Sequence, residues 1–149
     1  MPITAFSPTT NYARLTTVAY PQVTPTTQVL TTGGGVVTGT VTQILSGLLR
    51  MSTTNAQTFT TPTAALIVAA INGCQVNTSF DLDVINYGAS TLTIGLGTGV
   101  TTPTIATVAS VLTLATLTAK RFKFVVTNAT QGSEAVEIYT IGASAAAVA

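Results

Sequence analysis

The residues that could do chemistry in this chain are four carboxylates and one thiol. The carboxylates are Asp81, Asp83, Glu134 and Glu137, the thiol is Cys74, and the sequence contains no His. Ser-His-Asp and Cys-His catalysis need an imidazole, and zinc sites draw on several Cys and His side chains. A carboxylate pair for glycoside hydrolysis is formally possible, but an enzyme is the least favoured class of function, and we expect no catalytic residues.

Asp81 and Asp83 lie two residues apart in an alternating segment, so they share one face of a predicted strand. Such a pair could bind Ca²⁺, yet a calcium site needs about six to eight oxygen ligands and no acidic loop surrounds these two. The favoured interpretation is two solvated carboxylates on an outer face. We therefore expect no metal and no other cofactor.

The segment Gly95-Leu96-Gly97-Thr98-Gly99 compares poorly with a phosphate-binding loop, because neither a Lys nor a helix start follows it. A bend or bulge between strands is favoured. Cys74 has no second cysteine to pair with and no His to activate it. We interpret it as a small buried hydrophobic side chain.

Charge is scarce throughout the chain. The sequence has 149 residues, 6% charged and 46% hydrophobic, with 33 Thr, a mean hydropathy of +0.56 and a net charge of +1. A free soluble domain carries about a quarter of its residues charged, and a surface near neutrality promotes association. The composition predicts a homo-oligomer that works inside an assembly. The nine charged residues are Arg14, Arg50, Asp81, Asp83, Lys120, Arg121, Lys123, Glu134 and Glu137.

The composition also argues against two kinds of partner. Nucleic-acid binding needs a basic face, and the one basic cluster, Lys120-Arg121-Lys123, alternates with Phe122 and Phe124 as a strand with outward charges would. Membrane insertion needs an apolar run of about 20 residues, which the chain lacks. The first residues have no basic start followed by a long apolar run, so we expect no secretory signal.

Residues 1–35 differ from the rest and predict an extended N-terminal arm. They contain Pro2, Pro8, Pro21 and Pro25, which oppose a helix, and end on three glycines that predict a hinge. Two interpretations stay open: a disordered tail, and an arm that reaches a neighbouring subunit. The candidate assembly contacts are its apolar side chains, Val18, Tyr20, Val23, Val29 and Leu30.

Two helices are predicted at the start of the second segment, residues 36–149. Apolar residues at positions 41, 44, 45, 48 and 49 predict a helix of at most three turns, which Gly47 weakens. Thr61 as N-cap, Pro62 at the first position and Gly73 past the end predict another. This second helix is apolar nearly all round, so we expect it to be buried or covered.

The remaining residues predict short strands. Ser79–Asn86 and Thr91–Leu96 alternate and predict a hairpin, while residues 121–128 and 134–141 predict two later strands. We expect Asp81 and Asp83 to lie across from Arg121 and Lys123. Residues 52–61 predict a polar turn or an edge strand, and residues 105–117 predict one or two more strands. The total of six to eight short strands predicts an all-β fold, an antiparallel jelly-roll-like β-sandwich with one or two short helices. The predicted core consists of Phe80, Leu82, Val84, Leu92, Ile94, Phe122, Phe124, Val126, Val136 and Ile138.

The order of several segments resembles a module of virion structural proteins of large double-stranded DNA viruses and tailed phages. The segments are residues 40–49, 61–65, 79–86, 97–100, 126–128 and 133–136. The resemblance covers roughly residues 40–141 and implies a β-rich surface or capsid-associated subunit, often a trimer. It also implies other capsid or virion proteins as partners and localisation in the virion after assembly in a host cell.

We therefore predict a virion structural protein, a minor capsid, cement or decoration subunit that acts by protein–protein contacts and self-association, with a homotrimer favoured. The alternative is a receptor- or glycan-binding fibre-tip module. Glycan sites expose aromatic side chains, and Tyr87 and Tyr139 are the candidates for that role.

Overall fold

The structure is a computed structural model that describes residues 26–103 and 112–145. These residues form ten strands and two short helices. The strands are β1 Thr26–Thr32, β2 Gly35–Thr38, β3 Gly47–Thr53, β4 Gln57–Thr60, β5 Ser79–Asn86, β6 Leu92–Gly95, β7 Val100–Thr101, β8 Thr113–Leu114, β9 Thr118–Asn128 and β10 Ala135–Ala145; the helices are α1 Val41–Ile44 and α2 Ala64–Ala70.

The strands form a six-stranded sheet, in the order β1-β3-β5-β9-β10-β7, and a four-stranded sheet, in the order β2-β4-β6-β8. From β1 to β6 the chain passes from one sheet to the other after every strand, so β1, β3 and β5 run parallel, as do β2, β4 and β6. Antiparallel pairs follow where β9 joins β5 and β10, and where β8 joins β6. The prediction of a mostly-β fold is confirmed, but the prediction of a purely antiparallel arrangement is wrong. Because the chain visits the other sheet between two strands of one sheet, each new strand runs in the same direction as the previous strand of its own sheet.

The predicted hairpin of residues 79–86 and 91–96 is wrong for the same reason. The first segment is β5 in the six-stranded sheet, and the second is β6 in the four-stranded sheet. The buried Asn86 fixes this crossing, since its Nδ2 donates to the carbonyl oxygens of Ser90, Leu114 and Ala115 at 2.8, 3.1 and 3.0 Å. Gly88 in the crossing is required by space: a Cβ there would lie 2.1 Å from the Thr53 backbone nitrogen.

The first predicted helix is much shorter than expected. Thr40 caps it, with its hydroxyl accepting from Gln43 N and the Gln43 side chain accepting from Thr40 N. The helix ends at Ile44, and Gly47 then adopts a φ of +81°, which an L side chain rarely tolerates. The apolar residues at 48 and 49 therefore belong to β3 rather than to a helical stripe.

The second helix starts later than predicted and is only partly buried. Its N-cap is Thr63, whose hydroxyl accepts from Leu66 N. Ala64 and Ile67 are buried, but Leu66 is 55% exposed in the single chain, so the helix is not buried all round, and coverage of its outer side by neighbours stays a prediction. Among the described residues, neither helix has the length and hydropathy to cross a membrane.

All ten residues of the predicted core are buried, and both sheets contribute to one cluster. The rings of Phe80 and Phe124 stack with centroids 4.8 Å apart. The prediction missed the contribution of residues 44–67, where Ile44, Met51 and Phe59 are fully buried. Ile44 lies in the segment predicted as a helix, and Phe59 lies in residues 52–61, which the sequence predicts as a polar turn or an edge strand. The structure places Phe59 in a strand, β4.

Part of the predicted arm belongs to the sheets. Residues 1–25, with the candidates Val18, Tyr20 and Val23, lie outside the described residues. From Thr26 onward, β1 pairs along its whole length with β3. Val29 lies within β1, and Leu30 packs against the core. The segment 26–35 is thus a strand and the start of the next, not an extension away from the domain.

Replacing Phe124 with Ala should reduce the free energy of unfolding by about 3–5 kcal/mol, because it leaves a cavity and removes the stacked partner of Phe80. Urea unfolding measures this loss. Val125→Ala, one residue along the same strand on its half-buried outer side, is the matched control and should cost much less. Similar losses in both variants would show that the inward face of β9 is wrongly assigned.

Deleting residues 1–35 should lower the urea midpoint relative to deleting residues 1–25. The longer deletion removes β1, which pairs along its whole length with β3, and the Gly35 carbonyl. That carbonyl is one of two acceptors of the buried Gln57 Nε2, at 2.7 Å, and the other, the Thr58 carbonyl at 3.0 Å, remains. Losing one such hydrogen bond costs about 0.5–1.5 kcal/mol, and losing the strand pairing adds to it. Equal midpoints would mean that β1 adds nothing to the stability of the domain.

Candidate interaction surface

The charged residues lie together on one surface. Eight of them are in the described part of the chain, and six point outward from the six-stranded sheet, alternating with buried neighbours. We name this surface the charged face; its charged members are Arg50, Asp81, Asp83, Arg121, Lys123 and Glu137. The other two are Lys120, which is buried, and Glu134, which precedes β10.

The predicted cross-strand ion pairs are confirmed. Asp83 accepts from Arg121 Nε at 2.7 Å and from Nη2 at 2.8 Å, and Asp81 accepts from Lys123 Nζ at 3.1 Å. The hydrogen bond and charge of Asp83 raise the pKa of Arg121. All four side chains are at least 40% exposed, so solvent screens each pair, which adds little to stability and acts mainly on register.

Lys120 does not belong to the outward basic cluster that the sequence predicted. It shares the inward side of β9 with Phe122 and Phe124, is 8% exposed, and donates from Nζ to the Thr113 carbonyl at 2.8 Å. Burial lowers its pKa. The inward position of Lys120 could have been predicted from the sequence, since residues 120, 122 and 124 lie on the same side of a strand.

A groove of about 430 Å³ opens at one end of the charged face. Leu48 and Ile141 lie on its two sides, and Ile141 is 50% exposed. The prediction gave neither residue a contact role, because it placed Leu48 in a helix and Ile141 at the end of the last strand. The groove is lined by Leu48, Asp83, Ile85, Ala119, Lys120, Arg121 and Ile141.

The outer surface of the four-stranded sheet is different in kind. We name it the threonine face. None of the four described strands of this sheet contains a charged residue. Strand register aligns Val36, Thr58, Thr93 and Thr113 in one row, and Thr38, Thr60 and Gly95 in the next.

The glycine-rich segment 95–99 is a tight passage between strands and not a ligand loop. The Gly97 N–H donates to Thr61 Oγ1 at 2.9 Å, and a Cβ at Gly97 would lie 2.4 Å from the Thr61 and Pro62 carbonyl oxygens. Backbone contact thus explains why Gly occupies this position. Thr61, predicted as a helix cap, holds this segment instead.

The structure does not bring the two candidate aromatic residues together. Tyr87 follows β5 and has the Arg50 guanidinium 5.0 Å from its ring centroid. Tyr139 lies in β10, and its hydroxyl donates to Glu137 Oε2 at 2.5 Å, which raises the pKa of Tyr139. Tyr139 aligns with Asp81 through Lys123, so six residues of β5, about 20 Å, separate the two positions.

Cys74 is half-buried against the core, and burial raises the pKa of its thiol. Within residues 26–103 and 112–145, no group of three or more Cys, Asp or Glu side chains is placed to hold a metal ion. Asp81 and Asp83, considered above as a possible calcium-binding pair, each form an ion pair with a basic residue of β9.

Comparison with known proteins gave no match to a family model, to a curated protein or to a solved structure. The resemblance to virion structural proteins therefore stays a prediction.

Lys120→Met should change how stability depends on pH. Burial lowers the folded-state pKa of Lys120 below 10.5, so the unfolded chain binds more protons between the two values and wild-type stability rises with pH there. Met lacks this titration. The difference in unfolding free energy, wild type minus variant, should rise toward pH 10.5; urea unfolding in a pH series measures it, and a flat difference would contradict the buried ammonium.

Proposed function

We propose that the chain is a structural subunit of a larger protein assembly and acts through protein–protein contacts. The observation that carries the proposal is the segregation of charge: six of the eight described charged residues lie on the charged face, and the strands of the threonine face have none. A surface without charge lacks the electrostatic repulsion that prevents association with other proteins in water. Neighbouring subunits that cover such a surface would prevent this non-specific association.

Exposed apolar side chains outside the charged face support the same proposal. Val36 in β2, Leu66 in α2 and Val76 beyond α2 are each more than half exposed. Single exposed apolar residues are ordinary, but here no described charged side chain lies in the same elements. Together with the low overall charge, they favour a subunit with several neighbours over a freely diffusing domain.

The assembly that we propose is a virion, in which the chain is a minor capsid, cement or decoration subunit. The support is the resemblance of residues 40–141 to virion structural proteins. We also propose that the two sheets form a sandwich, which their common core supports. The parallel strands depart from a jelly roll.

The fibre-tip alternative is less well supported by the geometry. A glycan platform needs an open aromatic ring, but Arg50 lies over the ring of Tyr87 and the hydroxyl of Tyr139 is bonded to Glu137. The two rings also lie at different ends of the sheet.

Quantitative mass spectrometry of purified particles from the virus or host that encodes the chain tests the proposal. A structural subunit should be recovered at a fixed ratio to the major capsid protein through successive gradients, and it should rebind particles stripped of it. A ratio that falls toward zero with each gradient would contradict the proposal.

A further inference from the structure

We propose that the charged face is the site where two copies of this chain pair, around a two-fold axis parallel to the strands between β5 and β9. This inference rests on the proposed function and deepens it by naming one partner and the surface that binds it.

The first support is a row of four residues that is self-complementary. Leu48, Asp83, Arg121 and Ile141 are register partners on the consecutive strands β3, β5, β9 and β10. The row thus reads apolar, acidic, basic, apolar. Rotation by 180° about its middle places Asp83 opposite Arg121 of the second copy, and Leu48 opposite Ile141 of the second copy.

The neighbouring rows follow the same rule. Asp81 and Lys123 are register partners on β5 and β9, so the rotation sets each opposite the other residue of the second copy. Ile85 and Ala119 are partners on the other side of the first row. On the two central strands, β5 and β9, the same operation therefore opposes acid to base or apolar to apolar side chain in three successive rows. Arg50, the register partner of Ile85 on the flanking strand β3, has its own partner in the ring of Tyr87.

The cost of burying these charges is reduced because each has a partner in its own chain. Arg121 already donates two hydrogen bonds to Asp83, and Lys123 donates one to Asp81. Burying an unpaired charge is strongly unfavourable, but here the second copy would turn each pair into a four-charge array. The favourable part comes from Ile141, half-exposed in the single chain, which would enter the groove beside Leu48.

A second copy fits this face better than a partner of strong charge. The charges of the two acidic and two basic residues at its centre sum to zero. A strongly basic or acidic partner would therefore meet as much repulsion as attraction. Aligned packing of two sheets keeps their strands within about 30° of each other, as this axis requires. An isologous pairing closes as a dimer, in contrast to the trimer that the resemblance implies.

The first test uses two substitutions of the same kind at surface sites of similar exposure. Ile141 and Leu66 are 50% and 55% exposed, and only Ile141 belongs to the charged face. Sedimentation velocity of the full chain should give a mass near twice 15.1 kDa for wild type and Leu66→Lys, and near 15.1 kDa for Ile141→Lys. An unchanged dimer in Ile141→Lys, or its loss in Leu66→Lys, would overturn the proposed surface; circular dichroism checks that both variants fold.

The second test examines the axis. Leu48→Cys and Ile141→Cys are made separately in a Cys74→Ser background and treated with a short bismaleimide, alone and mixed. Across the two-fold axis, like positions lie about three strand spacings apart, roughly 14 Å or more, while Leu48 faces Ile141. Cross-linked dimers should form mainly in the mixture. Equal cross-linking of either variant alone would overturn the axis.

These results separate the inference from the proposed function. Particles that hold the chain at a fixed ratio while Ile141→Lys leaves its oligomeric state unchanged would overturn the pairing and leave the structural role in place. A chain that pairs as described but is absent from particles would overturn the virion role alone.

Discussion

Phe59 of the four-stranded sheet and Phe80, Phe122 and Phe124 of the six-stranded sheet belong to one buried cluster, on which the rest of the structure depends. The chain builds this core by crossing between the sheets after each of its first strands, so that every turn adds one strand to each sheet. The connections between strands pass close to this core. A Cβ at Gly39, for example, would lie 2.3 Å from the ring of Phe59.

The core also explains why the two outer surfaces differ so much. Alternation along each strand commits one side to the interior and leaves the other for water or for neighbours. On the six-stranded sheet that outer side holds six of the eight described charged residues, with acids on β5 and bases on β9 at its centre. On the four-stranded sheet it holds threonine, which satisfies water through its hydroxyl without adding charge. The same subunit therefore has one outer surface that carries paired acidic and basic residues and a second outer surface whose described strands carry no charge.

The strand alternation made the inward residues and the ion pairs predictable from sequence. Phe80, Leu82 and Val84 alternate with Asp81 and Asp83, and a period of two leaves little choice about which side is buried. The same local pattern does not indicate which sheet a strand joins. For this reason the prediction that β5 and β6 form a hairpin was wrong. Residues 41–49 misled for a related reason: their apolar spacing fits a helix, but Gly47 at φ +81° starts a strand.

The candidate surface was predictable only in part. The pairing of Asp83 with Arg121 followed from alternation, but its place between Leu48 and Ile141 depends on β3 and β10 flanking β5 and β9. That neighbourhood is a property of tertiary strand order, which no local pattern in the sequence encodes.

The most direct measurement is hydroxyl-radical footprinting of the full-length protein at concentrations above and below its association midpoint. We expect association to protect Leu48 and Ile141 and to leave Val36 and Leu66 as reactive as in the dilute protein. Protection of Val36 and Leu66, with Leu48 and Ile141 unchanged, would contradict this expectation.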